Sequence, residues 1–243
     1  MSFSLTYKNF GDQAVLVEWP AVISEAVLED IVRFKSVIAQ EKIEGILELR
    51  LAYNSILVIF NPLQVTQTVL SEKLKDLYLK DYQVRKSVSK IWTIPVCYDE
   101  HFGVDLKEIS VLKQLPVSEI ISRHTAALYT VYFIGFLPGF LYLGGLDERL
   151  HVPRKHMPRL KIETGAVAIG GSQTGIYPMA SPGGWNIIGN SPVSFFDKTR
   201  AEPCFAKSGD KIKFKSVSQS EYNDIQLLVA QGVYQPENEI YHD

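Results

Sequence analysis

The stretch AALYTVYFIGFLPGFLYLGGL, residues 126–146, carries no charge in a chain of which 21% of residues are charged. Its length suits a membrane-spanning helix, which needs about 20 apolar residues. Its content does not. Pro138-Gly139 stands near the centre with Gly135, Gly144 and Gly145 around it, and these residues weaken or break a helix. Irregular backbone survives in lipid only where protein or a cavity surrounds it. Ahead of the break, Leu128, Thr130, Tyr132 and Ile134 alternate with Tyr129, Val131 and Phe133. That is the β-branched and aromatic pattern of a strand covered on both faces. The segment reads as a strand running into a Gly-Pro loop, and no membrane contact is expected.

Downstream, glycine dominates: 11 of the 16 glycines lie between Gly135 and Gly189, and no charge occurs from Thr164 to Phe196. Regular helices cannot use that much glycine, so short strands and tight loops in a closed β structure are expected. Ser208-Gly209-Asp210 turns into a strand over 211–217. Ser218 and Glu221 then have the spacing of a capping box for a last helix ending near Ala230. Upstream, 91–98 reads as a strand, followed by helices over 105–114 and 117–123 that Pro116 separates.

The first third is of a different kind. Residues 14–19 read as a strand. Ser24 caps a helix with Val27, Leu28, Ile31 and Ile38 on its inner side. Leu47, Leu49 and Leu51 alternate with Glu48 and Arg50 as a half-buried strand, and a turn at Tyr53-Asn54 leads into its partner, Ser55–Phe60. A second helix turns Val65, Leu70, Leu74 and Leu77 inward. The order β-α-β-β-α is that of a ferredoxin-like two-layer unit. The expected class is α+β: a small α/β domain over 1–88, a linker near 80–90, a β-barrel over 89–232, and a loose acidic tail over 233–243.

With 243 residues, 46% of them hydrophobic, the chain can build real cores. Twenty-five basic against 27 acidic residues leave no general attraction for nucleic acid or anionic membrane. The start, MSFSLTYKNFGDQ, has neither the basic nor the apolar region of a secretory signal. Cys97 and Cys204, far apart in sequence, read as reduced thiols of a cytoplasmic protein.

Chemistry concentrates in the charge-poor half. Residues 165–172, GAVAIGGS, miss a phosphate-binding loop because Gly171 stands where the lysine belongs. The same stretch fails the G-x-S-x-G elbow, since Thr174 replaces the last glycine. His151 and His156, with Pro153 between them, do not share a helix face, so no metal ligated by this chain is expected. His124 reads either as a hydrogen-bonded histidine closing a helix or as a proton carrier. RLHVPRKHMPRLK, residues 149–161, holds five basic residues and two histidines between uncharged walls. It is a solvated loop, or it lends Arg154 or Arg159 to grip a carboxylate or phosphate. ASPGGWNIIG, residues 180–189, brings Pro182-Gly183-Gly184 up to Trp185. With Gln173, Tyr177 and the G-F-x-P-G-F loop (Phe136, Pro138, Gly139, Phe140) it suggests one shared binding region.

HTAALYTVYFIGFLPGFLYLGG, VPR, MPR, IGGSQTGIYP and SPGGWNIIG, in this order, resemble the carboxyltransferase subdomain C and D family. That family includes the B-type component of bacterial ATP-dependent 5-oxoprolinase, sporulation-kinase inhibitor homologues and proteins labelled allophanate hydrolase subunit 1. The resemblance spans nearly the whole chain and implies a small α/β domain followed by a cyclophilin-like antiparallel barrel. It implies a hydrolase subunit that opens 5-oxo-L-proline to L-glutamate with ATP as co-substrate, together with a homologous C-type partner and a third protein. The alternative it implies is an inhibitor that docks its barrel on a sensor histidine kinase. Catalytic roles are expected for His124, Arg154 and Arg159. Substrate contacts are expected for Phe136, Pro138, Gly139, Phe140, Gln173, Tyr177, Gly183, Gly184 and Trp185, with Trp185 at a ligand or partner surface. Family members commonly carry Pro-Ala where this chain has Glu163-Thr164.

Overall fold

The computed structural model describes residues 3–80 and 88–241. The chain divides into two compact units, Met1–Ser87 and Val88–Asp243. Of the linker expected near 80–90, residues 81–87 lie outside the described residues.

The first unit contains β1 (Thr6–Asn9), β2 (Ala14–Glu18), α1 (Glu25–Glu41), β3 (Ile46–Ala52), β4 (Ser55–Phe60) and α2 (Gln67–Leu79). The expected β-α-β-β-α order is present, with one further strand ahead of it. The sheet runs β1-β2-β4-β3 with every pairing antiparallel. Ser24 Oγ accepts from the Val27 N–H and starts α1. Val15 and Val17 of β2 and Ile56, Val58 and Phe60 of β4 meet Ile31, Phe34, Leu70 and Leu74 of the helices in one core. Alternation along β3 breaks at a bulge between Ile46 and Glu48, which leaves Leu47 65% exposed. Asp30 is a buried charge made tolerable by its donors: Trp19 Nε1 (2.7 Å), the Tyr78 hydroxyl (2.6 Å) and the Arg33 guanidinium (2.8 Å).

The second unit contains β5 (Lys90–Val96), α3 (Leu106–Lys113), α4 (Val117–Ala126), β6 (Leu128–Ile134), β7 (Leu141–Gly144), a 3-10 turn (Glu148–Leu150) and β8 (Arg159–Ile162). It continues with β9 (Ala166–Gly170), β10 (Gln173–Ile176), β11 (Ser181–Gly183), β12 (Asn186–Asn190), β13 (Lys211–Ser216), α5 (Gln219–Ala230) and β14 (Glu237–Ile240). The uncharged stretch is β6, a loop and β7, as its composition predicts. Residues 165–172 are β9 and the turn into β10. The capping box at Ser218 and Glu221 is formed as expected.

Two expectations are corrected here. Eight strands form one sheet in the open order β12-β9-β10-β7-β6-β13-β5-β14, and β13 lies parallel to β5. The sheet is therefore mixed, and its ladders do not close into an antiparallel barrel. Among the described residues an isolated bridge, with Cys97 and Asn190 exchanging two 2.9 Å hydrogen bonds, joins the end of β5 to the end of β12. The tail expected to be loose instead supplies β14, antiparallel to β5 from Glu237↔Thr93 to Ile240↔Lys90. Its residues are all exposed, so no hydrophobic alternation announces it.

β8 and β11, with β9 and β10 between them in the chain, form a separate two-stranded antiparallel sheet. Glu163 and Thr164, ahead of β9, make a turn in which the Glu163 carbonyl accepts from Ala166 N–H (3.2 Å). The Thr164 carbonyl there accepts from Asn190 Nδ2 (2.9 Å). Among the described residues no helix is long and apolar enough to cross a membrane, and no His/Cys/Asp/Glu group could hold a metal ion.

Candidate functional site

Four segments of the second unit converge: the β6–β7 loop, the basic run before β8, Tyr177 just after β10, and the β11–β12 connection. Their centre is aromatic. Phe140, Tyr177 and Trp185 are buried together with Ile162, Ala166, Ala168 and Ile187. Ring centroids lie 5.2 Å apart for Phe140–Tyr177 and 5.6 Å for Phe140–Trp185, both nearly perpendicular. This is the edge-to-face geometry that aromatic quadrupoles favour. A Cβ on Gly183 would clash with the Tyr177 hydroxyl, so only glycine lets this ring reach the β11 backbone. Phe136 stands outside the cluster, 62% exposed, and packs edge-on to Phe140 at 5.6 Å. Its φ of +68° is unusual for a bulky residue.

Arg154 lies over this wall, its guanidinium carbon 5.5 Å from the centroid of the Trp185 ring. Backbone bonds on either side hold it there. The Pro153 carbonyl accepts from Asn186 Nδ2 (2.9 Å), and the Lys155 N–H donates to the Gly184 carbonyl (2.7 Å). Arg154 is exposed and has no carboxylate within ion-pair distance among the described residues. Arg159 donates from Nη2 to Asp105 Oδ1 at 2.6 Å, while its Nη1 is buried without a hydrogen-bond partner among the described residues. Lys155 bridges Asp105 (3.1 Å) and Glu108. Burial works against the lysine's charge, but these two carboxylates raise its pKa. Three cations thus face two carboxylates, a local excess of positive charge. Burial raises the Tyr177 pKa, against the opposing pull of the Trp185 backbone and of Arg154 and Arg159.

The structure brings together Arg154, Arg159, Phe136, Phe140, Tyr177, Gly183, Gly184 and Trp185. Gly139 shapes the loop from below, where a Cβ would come within 2.8 Å of the Phe195 carbonyl. Pro138 is an exposed neighbour on that loop. Gln173 pairs across the ladder with Gly170, the residue against which Trp185 packs.

Trp185 itself is 4% exposed, part of the wall and not a protruding contact. His124 lies elsewhere, fully buried among Tyr129 and Phe214, with the Phe214 ring stacked 4.6 Å away. Thr174 Oγ1 donates to the Ala168 carbonyl (3.0 Å), so it accepts from His124 Nε2–H (3.0 Å). That leaves Nδ1 to accept from the Tyr98 hydroxyl (2.8 Å). Burial pushes the imidazole pKa down to about 3. Both ring nitrogens are committed, which is the hydrogen-bonded alternative for this histidine.

Sequence reasoning misses Asp105, Lys155 and Asn186. Lys155 lies inside the basic run, where the planar fork of the arginines is the stronger signal. Asp105 opens α3 yet makes no side-chain cap. A carboxylate there reads as an ordinary helix start, and only the fold shows that it faces Arg159.

Residues 5–206 match the family described as carboxyltransferase domain, subdomain C and D. The chain is 33% identical to the B-type component of 5-oxoprolinase from Bacillus subtilis, over 92% of its own length and 97% of the relative's. The crystal structure of TTHA0988 is 32% identical with a TM-score of 0.74, over 85% of this chain but 40% of that longer one. Urea carboxylase of Kluyveromyces lactis superposes with a TM-score of 0.83 at 20% identity. It covers 99% of this chain, which amounts to 24% of the carboxylase, and so speaks for the fold alone.

Proposed function

The chain belongs to the carboxyltransferase subdomain C and D family, and on that premise we propose that it is a subunit of an ATP-dependent 5-oxoprolinase. In this reading it works with a homologous partner subunit and a third protein to open 5-oxo-L-proline to L-glutamate, with ATP as co-substrate of the assembly. The name of the Bacillus subtilis relative supports a subunit role. So does a solved relative in which this fold is 40% of one longer chain. The two units are read as ferredoxin-like and cyclophilin-like. The strand order β2-β4-β3 supports the first, and the bridge between the two sides of the larger sheet supports the second.

The observation that carries the proposal is Arg154. An arginine stacked on an indole, free of carboxylate partners among the described residues and held through both its backbone neighbours, is organised to receive an anion. 5-Oxoproline is a small lactam ring with one carboxylate. Its carboxylate suits the guanidinium fork, and the exposed Phe136 ring at the border of the aromatic cluster suits the lactam. This chain binds and orients; His124, with both nitrogens occupied, holds the core and carries no proton to the lactam. The test is to co-purify the chain with its partner subunits and measure glutamate release from 5-oxoproline and ATP. The complex should turn over, and the isolated chain should be nearly inactive. Arg154→Lys in the complex should keep the melting temperature but lower kcat/KM by about 1.5–3 kcal/mol, the worth of a charged hydrogen bond. Robust glutamate release by the isolated chain, or wild-type kinetics from Arg154→Lys, would overturn the assignment.

A further inference from the structure

Asp105 is an expensive residue for its place. Its side chain is 3% exposed and sits at the start of α3 without capping it. Oδ1 accepts from Arg159 Nη2 at 2.6 Å and from Lys155 Nζ at 3.1 Å. Oδ2 accepts from the Ile187 N–H at 2.7 Å, and the Asp105 N–H returns a bond to the Ile187 carbonyl at 3.0 Å. One carboxylate therefore ties α3 to β12 and to two cations of the basic run. Burial alone would raise its pKa. The bonds from Arg159, Ile187 and Lys155 outweigh that and hold the carboxyl below the ordinary aspartate range, so it is charged at neutral pH.

The arrangement is asymmetric at Arg159. Asp105 occupies Nη2, whereas Nη1 is buried with no hydrogen-bond partner among the described residues. Leaving a buried charged donor unpaired is costly, and such groups in native structures call for an explanation. A guanidinium pinned on one nitrogen presents the other in a fixed direction. Ile187 lies two residues after Trp185, and Asn186 between them holds Pro153 beside Arg154. The Asp105 clamp thus reaches both arginines, one directly and one through β12.

Building on the reading above, we propose that Asp105 is the positioning residue of a carboxylate subsite. It fixes Arg159 by Nη2 so that Nη1, together with Arg154, receives the carboxylate of a small anionic lactam or amino acid lying beside Arg154. Asp105 touches no ligand and acts through Arg159.

The test is a double-mutant cycle in the co-purified complex with Asp105→Asn, Arg159→Lys and the pair. Asp105→Asn keeps the shape and an oxygen for Ile187 but loses the charge. It should raise KM for 5-oxoproline about tenfold or more while kcat changes by less than about threefold. The pair should be no worse than the poorer single variant, because both remove one interaction. Multiplying effects, or a fall in melting temperature with KM unchanged, would make Asp105 a structural clamp only. A second measurement separates this from the substrate assignment: melting curves of the full chain titrated with 5-oxoproline, L-glutamate and the neutral lactam 2-pyrrolidone. Carboxylates should stabilise the wild type, 2-pyrrolidone should not, and both Asp105→Asn and Arg159→Lys should lose the response. Stabilisation by glutamate with no turnover of 5-oxoproline by the complex would sink the substrate reading and leave the subsite standing. No response to either carboxylate would sink the subsite.

Discussion

His124 shows how a residue attractive in sequence is spent inside a fold. Its donor and acceptor directions close only for the neutral Nε2–H tautomer, between Tyr98 and Thr174. Its pKa is pushed down to about 3 by burial, against 6.5 for a free histidine. The folded protein therefore refuses a proton that the unfolded chain accepts below about pH 6.5. Stability should fall as pH drops from about 6.5 toward 3, at up to ~1.4 kcal/mol per pH unit from this group. Between pH 6.5 and 5, above the range of the lowered carboxylates, urea unfolding should show the slope in wild type and a flatter one in His124→Gln. Equal slopes would remove His124 from the account. Trp185 makes the opposite case. Its Pro-Gly-Gly approach suggests an exposed ring, yet it is 4% exposed and packs against Phe140, Tyr142 and Ala168. Trp185→Ala should cost about 3–5 kcal/mol of folding stability, as core truncations of large aromatics do. A melting temperature within a degree of wild type would return the ring to the surface.

At the scale of elements, most of the fold is legible because local signals agree. Ser24 and Ser218 cap where their spacing says, β6 carries its two-sided apolar pattern, and Ser55–Phe60 buries every second residue. What escapes is set by partners distant in sequence. β14 is exposed and acidic, and only β5 makes it a strand. The parallel β13–β5 pairing joins segments about 120 residues apart and has no local signature. In the candidate site, arginines and aromatics are legible as types, but Asp105 is not, since its role depends on where α3 meets β12. The β6–β7 loop is where one atom decides. Gly139 has φ +84° and stands against the Phe195 carbonyl and Phe196. Gly139→Ala meets both a disfavoured backbone conformation and a steric clash, so it should destabilise the second unit by more than ~1 kcal/mol. The check is denaturant unfolding alongside Gly232→Ala, where φ is also positive (+72°) but nothing lies within 4 Å. Equal losses would show that strain alone, without the clash, accounts for the effect.

At the scale of the whole molecule, the segments around Arg154 also carry exposed apolar side chains. Leu160 is 92% exposed, Met157 85% and Phe136 62%, all beside the segments that carry the cations. Single exposed apolar residues are ordinary; several on neighbouring segments suit a protein partner. With the partner subunit as the expected occupant, Met157→Glu with Leu160→Glu should abolish co-purification while leaving the melting curve unchanged. Intact assembly by both size-exclusion chromatography and pull-down would exclude this face. In the larger unit, the pair Cys97 and Asn190 closes what the ladders leave open. Asn190 accepts at its side chain from the Tyr222 hydroxyl of α5 (2.9 Å) and donates to Thr164, so its two-bond bridge is braced by a helix that follows it in sequence. Among the described residues, neighbouring strands of this sheet are joined by ladders, whereas β5 and β12 meet only through this isolated bridge. Such a sheet has a preferred place to part, at a free energy below that of losing the whole structure. Because Tyr222 of α5 holds the Asn190 side chain, the last helix of the unit acts as a latch on the place where its sheet would open first.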